Sequence, residues 1–207
     1  MAVDRKIFQA VMVIFFMLLF GYFAGNKLTA FSALLAAAIF MYISAREHGS
    51  PVNLLGLASR GNNPHLWIMA GVTTSSILAF YYRFHYSETL LPGNMSLVAL
   101  AAPLIGMTEE MIYRGVIQGT LSHRHPATGI LVAATGHTAY KAILLGSSPV
   151  AGMINMTALV VLTFLTGSLF GYFRYRSGQI YSPLLAHGLF DILVYGDQAG
   201  FPVWVWH

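Results

Sequence analysis

The chain has 207 residues, of which 57% are hydrophobic and only 9% charged, with a mean hydropathy of +0.66; a soluble domain carries roughly 25% charged residues. So little polar material cannot cover a soluble globule, which excludes a nucleic-acid module or a cytosolic enzyme. The formal charge of +4, from 11 Lys and Arg against 7 Asp and Glu, therefore reads as the basic bias of cytosolic loops in a polytopic membrane protein. Cysteine is absent, which removes disulfides, thiolate zinc sites and cysteine nucleophiles and leaves the redox compartment open.

Apolar stretches near the 20 residues a span requires follow one another with short connections. In chain order the sequence predicts spans over residues 7–25, 28–45, 66–82, 97–121, 127–145, 152–173 and 181–195. The first follows Arg5 and Lys6 but has no small-x-small cleavage pattern leading into a soluble domain, so it reads as a retained span. The expected fold is all-α: a polytopic membrane helix bundle of about seven transmembrane helices, forming one integral-membrane domain over residues 1–207. Alternation places Arg5, Lys6, Arg46, Arg60, Arg124, Arg174 and Arg176 on one face and Lys27 and Arg83 on the other. This predicts a cytosolic N-terminus. The aromatic tail 201–207, with Trp204 and Trp206, reads as an interfacial anchor. Gly-x-x-x-Gly pairs at Gly21/Gly25, Gly115/Gly119 and Gly167/Gly171 read as helix packing rather than dimerisation.

Ionisable groups inside a span cost about 2.5 to 3.5 kcal/mol each at its centre, so each asks for a reason. Glu109, Glu110 and Arg114 fall in the fourth span, His137 and Lys141 in the fifth, and His187 and Asp191 in the seventh. At about 1.5 Å rise per residue these groups share one depth band on three helices. Residues four apart lie on one helical face, so Glu110 faces Arg114 and His187 faces Asp191, whereas Glu109 points elsewhere with a carboxylate free for proton transfer. Such a pair of carboxylates suits a general base beside a supporting ion pair. The other histidines, at 48, 65, 85, 123, 125 and 207, fall in loops or at interfaces. No His-Glu-x-x-His zinc motif and no Gly-x-Ser-x-Gly occurs.

The ordered set Glu109-Glu110-Met111-Ile112-Tyr113-Arg114, then His137, then His187-Gly188-Leu189-Phe190-Asp191 resembles the CAAX prenyl endopeptidases and bacterial Abi-type proteins, the intramembrane glutamic proteases. Their motifs are Glu-Glu-x-x-x-Arg, Phe-x-x-x-His and His-x-x-x-Asn/Asp. The segment 167–191, with Gly171-Tyr172, Arg174, Ser177-Gly178 and Pro183-Leu184, is similar to the one that leads into the third motif. The likeness covers residues 97–195, the motif-bearing core, and leaves the spans within 7–82 as accessory. Two positions depart from it: Ala133 stands where the second motif has phenylalanine, and Asp191 replaces the commoner asparagine.

The resemblance implies hydrolysis of a peptide bond in a membrane-associated protein or peptide, without a cofactor and without nucleic acid. It implies Glu109 as base, His137 orienting the water, and His187 with Asp191 facing the oxyanion. An ionised Asp191 cannot donate a hydrogen bond, so its expected part is to orient His187, with Glu110 and Arg114 supporting Glu109. The readings that remain are a zinc-dependent variant, a non-catalytic scaffold or bacteriocin-immunity protein, and a proton-coupled transporter. The compact length points to a prokaryotic cytoplasmic membrane.

Overall fold

A computed structural model of the chain describes residues 4–58, 61, 63–87, 89–122, 125–148 and 151–197. Among them the regular structure is entirely helical. Helices α1 (Arg5–Tyr22) and α2 (Lys27–Glu47) form a hairpin, followed by the short α3 (Pro51–Leu55) and by α4 (Pro64–Tyr86). Helix α5 (Val98–Glu110) continues unbroken into a π-helical segment (Met111–Gln118) and a last α turn (Gly119–Leu121). Then come α6 (Pro126–Gly146), α7 (Met156–Ser177) and α8 (Tyr181–Tyr195). Among the described residues the seven long helices occupy the seven apolar stretches, the π-helical segment falls within the fourth, and α3 lies between the second and third.

Local chemistry starts these helices where they start. The side chains of Asp4, Asn26, Ser50 and Asn155 accept hydrogen bonds from the first-turn backbone of α1, α2, α3 and α7, and proline opens α3, α4 and α6. Three of the described helices, Arg5–Tyr22, Lys27–Glu47 and Met156–Ser177, are long and apolar enough to cross a membrane. Helix α8 has 15 residues, fewer than the 20 or so of an upright span, and α5 with its extension carries Glu109, Glu110 and Arg114.

Antiparallel connections sort the helix ends into two groups. At one end the Gln9 amide donates to Glu47 at 2.7 Å, the Ile180 N–H donates to the Gly56 carbonyl at 2.9 Å, and the Gln118 amide donates to the Gly171 carbonyl at 2.8 Å. This end gathers Arg5, Lys6, Arg46, Arg174 and Arg176. Arg60, Arg124, His123, His207 and the aromatic tail 201–207 lie outside the described residues. At the opposite end the Ser96 N–H donates to the Gly196 carbonyl at 2.8 Å. Arg83, expected in a loop there, instead lies inside α4 and is buried. Its guanidinium pairs with Asp197 at 2.8 Å and reaches the carbonyls of Thr89, Leu91 and Leu193. Burial is tolerated because these acceptors replace water around the charge.

The core joins Val13 and Met17 of α1, Tyr140 and Leu144 of α6, and Ile112, Tyr113 and Ile117 of the π-helical segment. Close approach depends on small residues. Gly21 lies against Tyr140, Gly167 against Arg114 and Ala134, and Gly171 against Ile130, so members of the Gly-x-x-x-Gly pairs meet partners within the chain.

Candidate active site

Seven ionisable side chains from three helices converge inside this bundle. Glu109 and Glu110 end the α-helical part of α5, and Arg114 lies in the π-helical segment that follows, a deviation that often marks functional sites. His137 and Lys141 stand four residues apart on α6, and His187 and Asp191 four apart on α8. Glu110 and Arg114 are fully buried, and Glu109, His137 and Asp191 nearly so. Helix α8 reaches them because Gly178, at φ +66°, reverses the chain after α7. It packs close because Gly106, one turn before Glu109, has no Cβ to collide with the Asp191 carboxylate and the His187 ring.

Glu110 Oε1 accepts from Arg114 Nη1 at 3.0 Å and from His187 Nδ1 at 2.9 Å. Arg114 Nη1 also lies 2.8 Å from His137 Nδ1. Arginine only donates, so that imidazole nitrogen must be the acceptor, and the ring proton sits on Nε2. Nε2 therefore donates to Glu109 Oε2, at 3.2 Å. The other Glu109 oxygen, Oε1, is 2.8 Å from Lys141 Nζ. His187 Nε2 faces Glu109 Oε2 at 3.8 Å and Asp191 Oδ1 at 3.9 Å. Tyr113 stacks on His137 with ring centroids 4.6 Å apart and planes 24° from parallel, which packs one face of the imidazole.

The residues singled out from the sequence are thus brought together, with two differences in how they pair. Helical spacing indicates the Glu110–Arg114 contact, and it is made. Asp191 stands too far from His187 for a hydrogen bond; Glu110 holds the imidazole instead. Glu109 does not point into open space but forms a buried ion pair with Lys141. By sequence Lys141 is only a charge within a span. Its signal was the four-residue spacing from His137 on α6, the same spacing that relates Glu110 to Arg114. Tyr113 carries no signal in the sequence, because an aromatic residue in an apolar helix reads as core. His65 and His85 are exposed, and His125 caps α6 by accepting from the Ala127 N–H at 3.2 Å.

The donor set does not fit a zinc ion. Among the described residues no three His, Asp or Glu side chains are grouped as ligands. Cationic groups also stand 2.8 Å from Glu109 and from His137, where they would repel a divalent cation.

Comparison with curated proteins and with solved structures gives no match. The family model described as type II CAAX prenyl endopeptidase Rce1-like matches residues 89–193. That interval is about half of the chain and contains all seven converging side chains. With apolar helices able to cross a bilayer around a buried cluster of carboxylates and imidazoles, the chain belongs to the type II CAAX prenyl endopeptidase Rce1-like family of intramembrane proteases.

Proposed function

We propose that this protein is a glutamic intramembrane endopeptidase in which Glu109 activates water against a peptide bond of a membrane-associated protein or peptide. The observation that carries this reading is the convergence of Glu109 with two imidazoles, His137 Nε2 at 3.2 Å and His187 Nε2 at 3.8 Å, inside an apolar bundle. Glu109 takes a proton from water as the water oxygen adds to the carbonyl carbon. His137, fixed as its Nε2–H tautomer by Arg114, holds the Glu109 oxygen that faces the water. His187 donates from Nδ1 to Glu110 and, when protonated, presents an Nε2–H donor to the oxyanion. Glu109 then returns its proton to the leaving nitrogen as the C–N bond breaks, which leaves a carboxylic acid, ionised once released, and an amine. Lys141 balances the charge of Glu109 before and after the step.

In this reading all seven long helices lie in the bilayer and the whole of residues 1–207 acts as one domain. The basic end, with the N-terminus, faces the cytosol of a prokaryotic cell. The site needs no cofactor, because the base, the donors and the counter-charges are all side chains. The test is release of a membrane-anchored reporter peptide by the purified protein in liposomes, with Glu109→Gln as the control. Cleavage by the parent and none by the variant is the expected result; equal cleavage by both overturns the proposal.

A further inference from the structure

Three arginines are buried among the described residues, Arg83, Arg114 and Arg174. Arg83 pairs with Asp197 and Arg114 with Glu110. Arg174 has no such counter-charge: its Nη2 donates to the Leu54 carbonyl at 2.6 Å and to the Gly115 carbonyl at 3.3 Å, and its Nε makes no hydrogen bond. It is 8% exposed, and an uncompensated guanidinium at that depth is costly unless an anion joins it.

Room for one exists beside it. A cavity of about 220 Å³ opens at the basic end of the bundle, lined by Arg174, His48, Asn53, Gln118 and Ser122. It offers the Arg174 guanidinium and the Asn53 amide as donors suited to a tetrahedral oxyanion, while the Ser122 hydroxyl and the Gln118 amide beside them already donate to the Gln118 and Gly171 carbonyls. Its depth indicates the source of that anion. Helix α7 is apolar enough to cross a membrane and ends at Ser177, three residues after Arg174. The cavity therefore sits where a spanning helix leaves the hydrocarbon, at the level of lipid headgroups. Arg5, Lys6, Arg46 and Arg176 at the same end add attraction for an anionic leaflet.

We infer that this cavity binds the phosphate of a membrane phospholipid headgroup, with Arg174 as its counter-charge. The inference does not depend on proteolysis. It is tested by thermal unfolding of the full chain in detergent at fixed ionic strength, with added dioleoylphosphatidylglycerol, inorganic phosphate, dioleoylglycerol or a peptide with a free C-terminal carboxylate. Phosphatidylglycerol should raise Tm by about 5 °C, the scale of a ligand well above its Kd, and the phosphate-free diacylglycerol should not. Arg174→Gln should abolish the rise. Because that change also removes bonds to the carbonyls of Leu54 and Gly115, Asn53→Asp supplies a second arm. Asn53 is exposed and the substitution is isosteric, so the lipid-free Tm and peptide cleavage should stay as in the parent while the added negative charge weakens lipid affinity at least ~10-fold. An equal rise with diacylglycerol, or parental affinity in Asn53→Asp, overturns the inference. A rise from inorganic phosphate as large as that from the lipid overturns the lipid source. A rise produced only by a peptide with a free C-terminal carboxylate overturns it too, and assigns the cavity to the substrate chain.

Discussion

The α1–α2 hairpin and the α5–α6–α8 cluster occupy one bundle and solve opposite problems. The hairpin carries its large side chains outward: Phe8, Phe15, Phe31, Leu35 and Ile39 are exposed, while Ala10, Ala30, Ala33 and Ala37 are buried. Lipid is as apolar as leucine, so close backbone approach between small residues provides the attraction there. The cluster instead buries charge, and answers it within a helix, Glu110 with Arg114, and between helices, Glu109 with Lys141. One region thus depends on shape and the other on charge balance, and substitutions should separate the two.

The largest effect is expected at the base. Glu109→Gln should lower cleavage about 1,000-fold, within the range for loss of a general base, while the protein still inserts and purifies. Activity within ten-fold of the parent would refute that role. Glu110→Gln should act on both readouts, because it leaves Arg114 and His187 bound to a neutral amide. Breaking a buried pair costs about 3–5 kcal/mol, visible as a lower Tm, with cleavage reduced alongside. An unchanged Tm would show that the pair does not carry this region. In the hairpin, Ala33→Leu should destabilise by about 1–3 kcal/mol through overpacking and leave the activity of the folded fraction intact. Phe31→Ala, facing outward, should change Tm little.

Smaller effects sharpen the comparison. Asp191→Asn should keep cleavage within about ten-fold of the parent, since Glu110, not Asp191, bonds the His187 ring and asparagine adds a donor. A fall approaching the 100-fold scale of lost histidine partners would return the orienting role to Asp191. The smallest effect concerns the opposite end of the bundle, where the Arg83 guanidinium holds the Asp197 carboxyl below the usual carboxylate range. A carboxyl with a depressed folded pKa contributes stability above its unfolded value, near pH 4, and loses that contribution as pH falls through the folded value. Asp197→Asn should therefore lower Tm slightly at neutral pH and flatten its decline below about pH 4. A decline unchanged in the variant would show that other groups govern it.

How much could be read in advance follows the range of each interaction. The seven long helices were legible because a span needs a sustained apolar run, and the ends of α1, α2 and α7 because Asp4, Asn26 and Asn155 are local caps. Glu110 facing Arg114 was legible because four residues make one turn. The partner of Glu109 was not: Lys141 is adjacent only because α6 packs in one rotational setting against α5 and its extension, fixed in part by Gly129 against the Gln118 carbonyl. Arg83 was read as a loop charge because its compensation lies more than a hundred residues away, at Asp197 and the Leu193 carbonyl.

The sequence by itself determined the solvent, the helices and which ionisable groups lie inside them, because hydropathy, capping and side-chain chemistry act over a turn or two and need no partner. Tertiary structure alone decided the pairing: Glu109 with Lys141 and His137, His187 with Glu110 rather than Asp191, and Arg174 with no acid among the described residues. Those choices depend on how far one helix is rotated and how close it lies against the next. That setting comes from which small residues permit contact and which buried charges then find a counter-charge, and both are properties of the assembled bundle.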